Sequence, residues 1–147
     1  MGTVSSHIGV PPERVFEVLA DGWLYAGWVV GASHVRAVHP TWPSVGARIH
    51  HSFGVWPLVL RDETSVEVSE APSHLVLLAN GRPLGQARVD LRLEPEGGGT
   101  KVSMTESVVK GPGQAIPKAV MDRIIDARNR EALARLAALA EQPGQPA

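Results

Sequence analysis

The sequence predicts an α+β fold in which an antiparallel sheet is bracketed by helices at the two ends of the chain. Three observations carry this. A Pro-initiated helix opens at Pro11-Pro12-Glu13-Arg14-Val15-Phe16, and a long amphipathic helix runs from about Ala119 to Glu141. Between them, segments alternate apolar and polar residues with period two and are broken by Gly and Pro. Period two is the pattern of a half-buried strand and helical spacing that of a one-sided helix. Such a sheet has one apolar face to bury, and the last helix is the element available to cover it.

The elements follow in order. Thr3 to Val10 reads as a first strand. Pro11 and Pro12 fix φ at the helix entry, and Glu13 suits its positive end. Val15, Phe16 and Leu19 make one apolar face, Asp21-Gly22 stops the helix, and Trp23 to Trp28 forms a second short helical turn. Strands are expected near Ala32–Val38, Ala47–Phe53, Leu58–Val68, His74–Ala79, Gly85–Leu93 and Lys101–Val109. The punctuation between them includes Pro57, Ala71-Pro72-Ser73, Gly81-Arg82-Pro83 and Gly97-Gly98-Gly99. Such close spacing implies hairpins and an antiparallel meander. Residues 1–141 are expected to form a single domain, with 142–147 a disordered tail.

Bulk properties narrow the function classes. A chain of 147 residues buries enough surface to stand without staples. It contains no Cys, which removes disulfides and thiolate metal sites. The net charge is −1 with both signs mixed, and no basic run appears, so nucleic acid is not an expected partner. No stretch approaches the roughly 20 apolar residues of a membrane span. No secretory signal is recognisable, and cytoplasmic location is the expectation. No His, Asp or Glu cluster has metal-site spacing, and no cofactor is expected.

The ordered set of features resembles the START / Bet v 1-like superfamily (SRPBCC), on its polyketide cyclase/dehydrase side. The resemblance rests on Pro12-Glu13-Arg14-Val15-Phe16 with Leu19-Ala20-Asp21 and then Trp28. It continues through Trp42-Pro43-Ser44-Val45-Gly46 leading into a strand. It ends with Leu93-Glu94-Pro95-Glu96-Gly97-Gly98-Gly99-Thr100-Lys101-Val102 and the terminal helix. It implies a helix-grip fold: a curved antiparallel sheet wrapped around the C-terminal helix, a cavity between them, and two short helices supporting one end. A Cys-x-His iron–sulfur motif is missing, which sets the chain apart from the Rieske-type oxygenases. The superfamily spans carriers, receptors and enzymes, so the resemblance speaks for fold more than for activity.

The sheet's period of two identifies polar residues that point inward. Asp62 and Thr64 share a face with Leu58, Leu60, Val66 and Val68, and Glu106 shares one with Val102, Met104 and Val108. Ala87, Val89, Leu91 and Leu93 face inward while Arg88, Asp90 and Arg92 face water. Of the adjacent pair His50 and His51, His51 falls on the inner face. On the closing helix, Met121, Ile125, Arg128, Ala132, Leu136 and Leu139 form a stripe, with Arg128 at its middle and Asn129 on its flank. A desolvated charge requires a partner, so Arg128 is expected either to pair with Glu106 or Asp62 or to face a wet cavity.

Two functions follow. As a binding module, the chain holds a small hydrophobic or amphipathic molecule, lipid- or polyketide-like. Its expected ligand contacts are Trp56, Asp62, Thr64, Met104, Glu106, Met121, Ile125 and Arg128. As a cyclase/dehydratase-type enzyme, it uses Glu106, Asp62 or His51 as acid or base, with Arg128 stabilising an oxyanion. A monomer or homodimer is expected. A purely structural role would leave the cavity small or collapsed.

Overall fold

A computed structural model describes residues 2–30, 32–53, 60–81 and 85–142. Strand β1 (Gly2–Ile8) leads into α1 (Pro12–Ala20), a 3-10 turn (Gly22–Leu24) and α2 (Tyr25–Trp28). Strands β2 (Ala32–Val38), β3 (Arg48–Phe53), β4 (Leu60–Glu70), β5 (His74–Gly81), β6 (Gly85–Glu96) and β7 (Gly99–Lys110) follow, then α3 (Lys118–Ala140). The expected turn at Trp56 and Pro57, the start of the third inner strand at Leu58, the turn at Arg82 and Pro83, and residues 143–147 of the expected tail lie outside the described residues.

The strands form one antiparallel sheet in the order β1-β7-β6-β5-β4-β3-β2. Sequential strands pair as a meander, except that β1 lies beside β7, with Gly2 opposite Glu106 and Ile8 opposite Thr100. The β6–β7 hairpin turns on Gly97 (φ 54°) and Gly98 (φ 85°), both in the left-handed region that a two-residue hairpin loop demands. The strands expected to end at Leu93 and begin at Lys101 therefore continue to Glu96 and from Gly99.

Sheet and helix close on one core that includes Ile8, Leu75, Leu91, Val102, Met104, Leu133 and Leu136. Helix α1 adds Val15, Phe16, Val18 and Leu19. Asp21 ends α1, and its carboxylate accepts the Trp23 backbone N–H at 3.1 Å, starting the next turn. Gly22 lets this corner approach the sheet, since a Cβ there would stand 2.6 Å from Val38 Cγ1. The Trp42 indole N–H donates to the Leu19 carbonyl at 3.1 Å, satisfying the polar edge of a buried ring. The C-terminal end of α3 is tied down. Arg14 Nε donates to the Ala140 carbonyl at 3.1 Å, and Glu141 accepts the Gly9 backbone N–H at 2.8 Å.

The inner stripe of α3 differs from expectation. Met121, Ile125, Asn129, Ala132, Leu133, Leu136 and Ala140 are buried, so Asn129 sits within the stripe and Arg128 on its flank. Between Ile125 and Ala132, positions 128 and 129 both satisfy a helical step of three or four. Burial of Leu133 and Ala140 rotates the packed face toward 129, and periodicity alone did not separate the two.

Candidate functional site

A cavity of about 230 Å³ lies between the sheet and α3. Its wall is mostly apolar, with Trp28, Val89, Met104, Met121 and Ile125 contributing. The polar groups that join them are Tyr25, Glu106, Arg128 and Asn129, with Asn80 and Gln86 toward the far ends of β5 and β6. Ile124 also reaches the wall and is largely exposed on α3.

Each polar group has a local reason for its place. Glu106 alternates inward with Val102 and Met104 on β7, as period two requires, and is buried. Arg128 reaches it from α3: its Nη2 donates to Glu106 Oε2, and the two form a salt bridge. The sequence offered Glu106 or Asp62 as the partner of Arg128, and Glu106 is the one engaged.

A second group stands behind the wall. Tyr25 Oη lies 2.7 Å from Thr64 Oγ1, which lies 2.9 Å from His51 Nε2. The Tyr25 and His51 rings stack with centroids 5.2 Å apart, and Trp28 meets Tyr25 edge-on at 5.5 Å. All of these residues are buried. Asp62 is opposite His51 across the β3–β4 pair, and one of its oxygens accepts the Glu63 backbone N–H at 3.0 Å.

Burial dominates the protonation of this group. It pushes the Tyr25 phenol up to about 12; the Thr64 hydrogen bond and Arg128 oppose the rise, while Glu106 and Asp62 add to it. Tyr25 is therefore a protonated hydroxyl at neutral pH. Burial also lowers the His51 imidazole below its ordinary value, with the Asp62 carboxylate pulling the other way and Arg36 reinforcing the fall.

The expected site residues thus separate into two layers. Met104, Glu106, Met121, Ile125 and Arg128 line the cavity. Asp62, Thr64 and His51 are buried on the inner face of β3 and β4 but are not part of that lining, and Tyr25 links them to it. Trp56 lies outside the described residues. Four polar residues of the wall, Tyr25, Asn80, Gln86 and Asn129, are not among the site residues expected from sequence. Tyr25 carries a signal in hindsight: it is the chain's single Tyr, on an apolar corner, and a buried phenol needs a partner. Among the described residues, no group of three His, Asp or Glu has the geometry to hold a metal ion, and no helix is long and apolar enough to cross a membrane.

A seven-stranded antiparallel sheet with a long C-terminal helix and short N-terminal helices is the architecture of the Bet v 1-like (SRPBCC) class. Within that class, the chain belongs to the family described as polyketide cyclase/dehydrase and lipid transport, whose sequence model matches residues 2–141. Solved structures agree on the fold. A Nitrosomonas europaea protein superposes with TM-score 0.72 at 15% identity, covering 95% of this chain and 93% of its own. A Chromobacterium violaceum protein gives 0.71 at 19%, covering 97% and 100%. Ara h 8.0201 gives 0.70 at 12%, covering 96% and 97%. A search of curated proteins finds no match. At such identities the structural likeness carries the fold alone.

Proposed function

We propose that this protein binds a small hydrophobic or amphipathic molecule, lipid- or polyketide-like, in the cavity between the sheet and α3. The observation that carries the reading is the composition of the wall. Apolar side chains dominate it, and its acidic group, Glu106, is already joined to Arg128. A cavity of about 230 Å³ suits a compact ligand of a few fused rings or a short acyl chain. A paired carboxylate is a poor general base, so the arrangement favours holding a ligand over transforming it. The family's description, which names both cyclases and lipid transport, fits the same reading. Cytoplasmic residence and a monomeric or homodimeric state belong to this proposal.

Native mass spectrometry of the purified full chain, with thermal shift against a panel of acyl and aromatic polyketide-like compounds, tests it. A co-purifying ligand or a saturable rise in melting temperature is expected. Absence of both across the panel counts against the reading.

The cyclase/dehydratase reading keeps one observation in its favour. The hydrogen-bonded series Tyr25, Thr64, His51 runs from the cavity wall to a buried imidazole, as a route for a proton requires. In that reading His51 is the base acting through Tyr25, and Glu106, Asp62 and Arg128 set the local field. Turnover of a poly-β-ketone substrate that disappears in Tyr25→Phe while binding persists would favour it.

A further inference from the structure

The amide nitrogen of Asn129 has no hydrogen-bond partner among the described residues, although the residue is only 3% exposed and lines the cavity. It sits on α3 between Ile125 and Ala132, in a stripe that is otherwise apolar. A Leu, with the same branched outline, would cover that place without leaving N–H donors unsatisfied, and an unsatisfied buried donor is destabilising. Rotation about the last side-chain bond exchanges nitrogen and oxygen within the same outline. The donor therefore reaches an oxygen in the cavity with no movement of the helix.

The charges around it decide what kind of oxygen that is. Glu106 already neutralises Arg128, the cation that lines the cavity beside Asn129. Asp62 adds a second buried carboxylate close enough to raise the Tyr25 hydroxyl together with Glu106. A ligand carboxylate entering here would be a further buried negative charge with its natural counter-ion engaged. An uncharged oxygen meets no such penalty.

We propose that Asn129 sets the ligand preference of this cavity: its amide hydrogen-bonds a neutral carbonyl oxygen on an otherwise apolar molecule, and a free carboxylate is selected against. This rests on the binding role proposed above and goes further by naming the ligand's polar group and the residue that reads it.

Three probes sharing one skeleton test the proposal by isothermal titration on the full chain: 2-acetylnaphthalene, 2-isopropenylnaphthalene and 2-naphthoate. The second replaces the carbonyl by an isosteric alkene, and the third carries the charge. Wild type is expected to bind the ketone about tenfold more tightly than the alkene, with naphthoate weaker than the ketone. Asn129→Leu should erase the ketone's advantage, so that ketone and alkene bind with equal affinity. Asn129→Thr, which restores a hydroxyl donor, should recover part of the preference and guards against a folding defect in the first variant. Equal binding of ketone and alkene by wild type, or naphthoate binding tightest, overturns the proposal while leaving the cavity's binding role intact. Retention of the ketone preference in a folded Asn129→Leu overturns it too. Failure of wild type to bind any of the three overturns this inference, and the acyl and polyketide-like panel described above then decides the binding role.

Discussion

Arg128 on α3 is joined to Glu106 on β7, so one ion pair bridges the helix and the sheet at the cavity wall. The pair is unequal: the Glu106 side chain is 5% exposed and that of Arg128 31%. Losing either partner should therefore have different consequences. Arg128→Met strands a buried carboxylate and is expected to lower stability by about 3 kcal/mol. Glu106→Gln leaves a cation that reaches solvent and an amide that still accepts its hydrogen bond, and is expected to lose about 1 kcal/mol. The double variant should lose less than the sum. Chemical denaturation of the four proteins checks this, and equal losses in the two single variants would contradict it.

Tyr25 is the only tyrosine, so its ionisation is directly visible in ultraviolet absorbance. The phenol is expected to resist ionisation to about 12 in the folded protein. An unfolded chain titrates near ~10 and so releases this proton earlier. The stability this group contributes is present below about pH 10 and is lost as pH rises through about 12. An absorbance titration of native protein that shows a midpoint near 10 with the fold intact would refute the assignment. Tyr25→Phe keeps the ring contacts with Trp28 and His51 but removes the bond to Thr64, at a loss of about 1 kcal/mol.

His51 carries the opposite sign. Its folded value lies below the ordinary one, so the unfolded chain takes up the proton first as pH falls. Stability from this group is present above about pH 6.5 and declines as pH drops toward the lower folded value. Melting temperatures measured from pH 7.5 to 5 should fall more steeply for wild type than for His51→Gln, which keeps a donor and acceptor near Thr64 but does not titrate. Parallel curves would show that His51 is not the source.

Ala132 is buried and borders the cavity from α3. Ala132→Leu adds volume into space that is already there, so the fold should survive with stability changed by less than about 1.5 kcal/mol. Binding of any cavity ligand should drop at least tenfold. Unaltered binding in a folded variant would place the ligand elsewhere.

The sequence made the strands and the two principal helices legible because their signals are local and strong. The alternation Val102, Met104, Glu106 put a carboxylate on an apolar face, and burial of Glu106 agrees. The same rule separated His51 from His50, whose side chain is 40% exposed. What stayed out of reach was depth. Period two places Asp62 and Thr64 inward but does not say that Tyr25, arriving from a helical corner 39 residues earlier than Thr64, stands between them and the cavity. Helical spacing likewise left Arg128 and Asn129 as near-equivalent neighbours, and only the packing of Leu133 and Ala140 against the core chose between them.

The seat of β1 has a consequence in time. Thr3 and Thr105 are hydrogen-bonded side by side although 102 residues separate them along the chain. Strand β1 is made before the other six strands of this sheet and must wait for the last of them, β7, before it can pair. Contacts of such long range slow folding, because the intervening loop must close before any of them is rewarded. The cavity wall draws on Tyr25, Met104, Glu106 and Asn129 and is likewise complete only once α3 has been made. Until then the unfinished meander displays its apolar inner face, a period in which nascent chains are open to aggregation and to capture by chaperones.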